Sequence, residues 1–236
     1  MKNVANYLGM KFRKFGNFMV DFTQARQNMV DCQLRTNKIV DDNIINAFSS
    51  VPRELFVDQK FQAIAYTDKD ISVGHDRYLI SPMILGRLLQ SLNIHPNEVA
   101  LDVGCATGYS SAVLAYLVMT VVALEGNKEL AVKANDNFRS LAVDNAVVVE
   151  GEIESGYSTQ GPYDIITIAA GLPFIPKSLK EQLADGGRLC TVIISDKGLG
   201  KAVLLTKSNG IISERILFDA NISPMPGFEI EQGFVF

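Results

Sequence analysis

The chain has 236 residues, 47% of them hydrophobic and 20% charged, a globular balance that excludes a disordered polymer. A net charge of −4 offers nucleic acid no basic surface, and three scattered cysteines with no C-x-x-C spacing argue against zinc and against a disulfide framework. The length suits one α/β domain of ordinary or slightly large size.

Residues 1–20 read as an extension of weak amphipathic character, in which Met19 is an alternative start. Lys2, Lys11, Arg13 and Lys14 are spread out with no apolar block behind them, so no secretory signal is read and a reducing cytoplasm is expected. Residues 21–60 read as helical, with Phe22, Ala25, Met29 and Cys32 at helical spacing and a second helix from Asp41 to about Ser50. The pair Asp41-Asp42 suits a helix N-terminus. Pro52 and Pro82 punctuate the region, a polar loop falls at Thr67–Asp70, and Met83, Ile84, Leu88 and Leu89 predict a helix over 81–92. Strands are predicted at Val99–Val103, Val121–Glu125, Ala146–Glu150, Asp164–Ala169 and Gly187–Ile194, with helices at Ser110–Leu117, Lys128–Leu141 and Pro176–Leu183. Two apolar runs follow, Ala202–Thr206 and Ile211–Asp219, joined through Asn209-Gly210, a hairpin signal. The expected fold class is α/β: a Rossmann-like, mainly parallel seven-stranded sheet with helices on both faces and a C-terminal antiparallel hairpin. The uncharged stretch Val103–Leu124 contains Gly104, Gly108, Ser110, Ser111 and Thr120, so it reads as turn, helix and buried strand and not as a membrane span.

The most informative segment is Val99–Gly108, VALDVGCATG. An apolar strand ends in Asp102; Gly104, Ala106 and Gly108 follow at alternate positions, and a helix begins at once. Small residues there let backbone approach a bulky ligand at the carboxyl end of a strand. The dinucleotide fingerprint G-x-G-x-x-G fails twice, at Ala106 and at Tyr109, which disfavours an NAD-dependent oxidoreductase. The arrangement resembles the first motif of class I S-adenosylmethionine-dependent methyltransferases, although an ordinary glycine turn is the plainer alternative. Glu125, ending the next apolar run, is an acid able to accept hydrogen bonds from both ribose hydroxyls. Cys105 reads as a small apolar filler.

Further segments resemble one family, the protein-L-isoaspartate O-methyltransferases, over roughly residues 20–195. They are Val51-Pro52-Arg53-Glu54-Leu55-Phe56-Val57; Ala65-Tyr66-Thr67-Asp68; Ile71-Ser72-Val73-Gly74, where Ser72 and Val73 replace the usual residues; and Gly108-Tyr109 with Ala112-Val113-Leu114-Ala115. Ala169-Ala170, Ile175-Pro176, Gln182-Leu183 and Gly186-Gly187-Arg188-Leu189 complete the set. The resemblance implies the cofactor S-adenosyl-L-methionine and protein substrates bearing isoaspartate. It also implies Asp102, Gly104, Ala106 and Gly108 around the methionine moiety and Glu125 on the ribose. Glu152, where the family usually has Asp, and Ile153 fall at the adenine; Ala169 and Ala170 form the floor; Leu79, Ile80 and Ser81 cover the reacting methyl. It divides the chain into an extension at 1–20, a helical subdomain with a substrate loop at 21–95 and the cofactor-binding core at 96–236, within one compact domain.

The departure lies in Leu79-Ile80-Ser81-Pro82. Ile80 occupies the position of the family's site serine, and Ser81, the candidate catalytic hydroxyl, comes one residue late, which in extended backbone points it to the opposite side. A methyltransferase with another acceptor, and a cofactor-binding protein without turnover, therefore stand as alternatives to isoaspartyl repair. His75 and Arg77 beside this segment are either an exposed polar loop or a site pair, with Arg77 as a carboxylate clamp. His95 reads as a surface turn residue. No metal site is expected.

Overall fold

The computed structural model describes residues 12–15, 18–195 and 200–228. Most of the expected extension at 1–20 lies outside the described residues; within it, β1 (Phe12–Phe15) and β2 (Phe18–Asp21) pair antiparallel. The helical region then starts on a cap. Asp21 accepts from the Gln24 amide and opens α1 (Phe22–Met29), and Asp41 accepts from the Asn43 and Ile44 amides and opens α2 (Asp42–Ser50). Between and after them the expected run over 21–60 is broken into short turns, a π-turn at Val30–Leu34 and 3₁₀ turns at Arg35–Asn37, Arg53–Phe56 and Gln59–Ile64. A small hairpin follows, β3 (Ile71–Gly74) and β4 (Arg77–Leu79), with His75 and Asp76 both left-handed at its tip. Ser81 caps α3 (Pro82–Ser91), with Pro82 in its first turn.

The core strands alternate with helices: β5 (Val99–Val103), α4 (Tyr109–Ala115), β6 (Thr120–Glu125), α5 (Lys128–Leu141), β7 (Ala146–Glu150), β8 (Tyr163–Leu172), α6 (Lys177–Glu181) and β9 (Leu183–Ile194). The hairpin β10 (Gly200–Ser208) and β11 (Ile211–Asp219) closes the edge, turning through left-handed Asn209 and Gly210. The seven strands lie in the order β11-β10-β9-β8-β5-β6-β7. β9, β8, β5, β6 and β7 are parallel, and β10 is antiparallel to both its neighbours. The expected sheet, hairpin included, is the one observed.

The topology creates the site. From β5 the chain winds outward through β6 and β7, then returns to β8 on the other side of β5, so the connections leaving β5 and β8 diverge. Ligands bind at that divergence, beyond the carboxyl ends of the strands. Successive β5 residues face opposite layers. Ala100 packs with the N-terminal helices, α3 and α4 in one continuous core, while Leu101 and Val103 pack with Ile166, Ile168 and Leu189 in the other. Among the described residues no helix is long and apolar enough to cross a membrane.

Candidate active site

The loop after β5 follows the sequence pattern directly. Gly104, Ala106 and Gly108 have φ of +72°, +53° and +92°, so the three small residues are the three left-handed positions. The Gly104 and Cys105 amides both bond the Leu124 carbonyl of β6, at 2.8 and 3.0 Å, and tie the loop to the neighbouring strand. Gly108 has no room for a side chain: a Cβ there would lie 2.7 Å from Phe138 Cε1.

Asp102 does not turn to the cleft. Its Oδ2 accepts from the Ser110 and Ser111 hydroxyls, both at 2.6 Å, and Oδ1 accepts from Thr167 Oγ1 at 3.0 Å. The fully buried carboxylate thus fastens the start of α4 to β8 and sets the shape of the loop. Burial raises its pKa, an effect that the three hydroxyls and the Arg77 charge offset only in part.

Glu125, at the tip of β6, is also fully buried. Its Oε2 accepts from the Ala106 amide at 2.7 Å; its Oε1 accepts from the Asn127 amide at 3.0 Å and from Arg77 Nη1 at 2.9 Å. Arg77 also donates through Nη2 to the Gly104 carbonyl. The two residues read together at this turn part in the structure: His75 is exposed, 3.1 Å from Glu129, whereas Arg77 is buried and paired with Glu125. His95 sits at a turn, its amide on Glu98 Oε2 at 2.8 Å.

Arg77 and Met225 fill the inner cleft around Gly104. Two cavities of about 10 Å³ each remain, lined by Tyr78, Ile80, Gly104 and Ala169 in common. Each holds about one water at most. Ala170 lines the first and Leu79, Ala106 and Tyr109 the second. Beyond the tips of β6 and β7 lies a groove of about 690 Å³, lined by Gly126, Glu150, Glu152, Ile153 and Gly227. Of the residues expected at a methionine moiety, Gly104 and Ala106 line the closed cavities and Asp102 and Gly108 do not; Glu152 and Ile153, expected at an adenine, line the open groove.

Ser81 is displaced from the expected role. Its hydroxyl donates to Asp68 and its amide to Asp70 Oδ1 at 2.9 Å, while Ile80 and not Ser81 lines both cavities. The one-residue offset reverses the side chain, because residues 79–81 continue the extended backbone of β4. The tail from Ala220 is a wall that the sequence reading passed over. Ser223 O accepts from the Gly171 amide and Gly171 O from the Met225 amide, both at 2.9 Å, which lays Ser223-Pro224-Met225 across the end of β8. Pro224 and Pro226, flanking Met225, were the local signal of an extended segment.

Burial raises the Cys105 thiol, and the Asp102 and Glu125 charges add to the effect; burial likewise raises Cys190. Only Cys32 is exposed. A maleimide should therefore label one thiol rapidly in the native protein, Cys32, and mass mapping that finds Cys105 equally fast would contradict the closed loop.

A parallel sheet with this strand order, a small-residue loop after β5 and an acid at the tip of β6 define a class I methyltransferase fold with a nucleoside cleft. The residues fit S-adenosylmethionine: backbone alone faces the cleft at Gly104, and Glu125 is an acceptor already engaged by a donor from within it. Residues 24–222 match the family model "Protein-L-isoaspartate(D-aspartate) O-methyltransferase (PCMT)", and the chain belongs to that family. A protein-L-isoaspartate O-methyltransferase 1 of Syntrophobacter fumaroxidans is 36% identical over 190 residues, 80% of this chain and 88% of the relative. A Herpetosiphon aurantiacus protein-L-isoaspartate O-methyltransferase is 40% identical over 170 residues, 72% and 76% of the two chains. A solved Plasmodium falciparum structure assigned to the same activity, in complex with S-adenosyl-L-homocysteine, has a TM-score of 0.71 at 23% identity and covers 86% of this chain and 97% of its own.

Proposed function

We propose that this chain methylates the α-carboxylate of L-isoaspartyl residues in damaged proteins, using S-adenosylmethionine, in the cytoplasm. The ester then closes to a succinimide that reopens partly to normal aspartate. The observation that carries the reading is the match of residues 24–222 to the family, together with the buried Glu125 carboxylate at the tip of β6, bound by the cavity-lining Arg77. When bound, S-adenosylmethionine supplies a methyl group activated on a positively charged sulfur. The acceptor is a carboxylate with a pKa of about 3.5, already ionised at neutral pH, so no residue of the chain has to remove a proton. Work of another kind falls to the chain. Gly104 to Gly108 offer backbone to the cofactor, Glu125 accepts its ribose hydroxyls, Glu152 and Ile153 border the adenine end, and Ile80, Ala169 and Ala170 give the reacting end an apolar wall. Alignment of this type accounts for as much as ~7–11 kcal/mol of barrier.

The test is methyl transfer from labelled S-adenosylmethionine to matched L-isoaspartyl and L-aspartyl peptides. Turnover is expected on the first only, with kcat flat from about pH 6 to 8 because neither nucleophile nor base titrates there. Tight cofactor binding without turnover on either peptide refutes the reading. Ile80 favours a second one, a different acceptor for the same transfer, since it removes a hydroxyl donor from the cavity wall.

A further inference from the structure

Glu125 has a site too few. A carboxylate offers about four acceptor positions. Three are taken, by the Ala106 amide, the Asn127 amide and Arg77 Nη1. Two ribose hydroxyls require two, so one present donor must leave. The amides belong to the glycine loop and to the turn that opens α5, and both are fixed by backbone. Arg77 is a side chain at the start of β4, in a two-stranded hairpin whose tip is exposed.

The displaced guanidinium then needs an anion. Among the described residues it is the only charged side chain lining the inner cavities, and Asp102 is already engaged with three hydroxyls. A buried cation stripped of its partner is strongly unfavourable. The same segment runs from Arg77 through Tyr78 and Leu79 to Ile80, so the freed fork stays beside the wall of the reacting end. A planar fork of paired N–H donors matches a carboxylate, and Ile80 provides no donor of its own.

We infer that Arg77 is the acceptor-carboxylate ligand, held on Glu125 until the cofactor ribose displaces it. The inference rests on the methyltransferase reading above and adds an order of events: the cofactor enters first and creates the carboxylate site. Cofactor and carboxylate bind with positive coupling, because each relieves the cost that the other would meet alone.

Calorimetry tests this without turnover. An L-isoaspartyl peptide is titrated into the wild-type protein with and without saturating S-adenosyl-L-homocysteine, alongside the matched L-aspartyl peptide and an isoaspartyl peptide whose α-carboxylate is an amide. S-adenosyl-L-homocysteine should raise the affinity of the isoaspartyl peptide by roughly 5- to 150-fold and leave the amide unchanged. In Arg77→Gln, S-adenosyl-L-homocysteine itself should bind about fivefold tighter or more, and the gain for the peptide should vanish. Equal peptide affinity with and without S-adenosyl-L-homocysteine in the wild-type protein overturns the inference, and this arm needs no variant to fold. Weaker S-adenosyl-L-homocysteine binding by Arg77→Gln overturns it as well. A gain that depends on Arg77 but is equal for the aspartyl and isoaspartyl peptides supports the carboxylate site and refutes isoaspartyl repair.

Discussion

Replacing Glu125 by alanine should cost roughly 3–5 kcal/mol of folding stability, measured by urea unfolding, because it leaves the Arg77 guanidinium buried without an anion. The side chains of this pair are 7% and 0% exposed, so solvent cannot substitute for the lost partner. The Ala106 and Asn127 amides lose their acceptor in the same step. Cofactor affinity should fall too. Hydrogen bonds to a charged group contribute about 1.5–3 kcal/mol each, so two ribose hydroxyls correspond to at least about a hundredfold in affinity for S-adenosyl-L-homocysteine. The double change Arg77→Gln with Glu125→Gln is expected to be more stable than Glu125→Ala alone, since removing both charges leaves none uncompensated. A Glu125→Ala protein within about 1 kcal/mol of wild type would mean that Arg77 finds another partner, and the closed cleft would have to be redrawn.

Arg53→Ala should be comparably damaging for a different reason. Arg53 is fully buried, and among the described residues no carboxylate is in its hydrogen-bond set. Its Nε donates to the Ala65 carbonyl at 2.8 Å and its Nη2 to the Ile80 carbonyl at 2.9 Å, and its guanidinium carbon lies 4.6 Å from the centre of the Tyr109 ring. Burial depresses its pKa, against the opposing influence of Tyr109 and Asp70. Truncation leaves a cavity and unpaired buried carbonyls, together about 3–5 kcal/mol. Because one of those carbonyls belongs to Ile80, methyl transfer should drop further than the affinity for S-adenosyl-L-homocysteine. Arg53→Lys keeps the charge but cannot serve Ala65 and Ile80 at once, so it should fall between the two. Thermal unfolding and single-turnover rates on the same preparations separate the two effects.

The parts of this fold that local chemistry decides were readable in advance. The helix predicted over Lys128–Leu141 has those bounds, because Asn127 caps its first turn and left-handed Ala142 ends it. The loop after β5 was readable for the same reason, since its three small residues are the three left-handed ones. What escaped depends on partners far along the chain. β8 continues to Leu172, past the predicted Ala169, because Gly171 is bridged by Pro224 from the tail. β9 begins at Leu183, ahead of the predicted Gly187, and takes the last residue of the helix predicted over Pro176–Leu183. The Arg77–Glu125 pair joins residues 48 apart, and no periodicity or spacing records it. Ser81 was placed at the site through the family resemblance, whereas in the structure it is the N-cap of α3, its hydroxyl accepting from the Ile84 amide.

One carboxylate spans the two walls of the cleft. Asp70 accepts from the Ser81 amide through Oδ1, at 2.9 Å, and from the Ser223 amide through Oδ2, at 2.6 Å. The segment leading from Ile80 into α3 and the tail that brings Met225 over Gly104 are thus moored to one carboxylate, each through its own oxygen. The jaws of the cleft are mechanically a single part: a displacement of residue 70 widens or narrows both sides together, and amide exchange at Ser81 and at Ser223 should rise and fall as one.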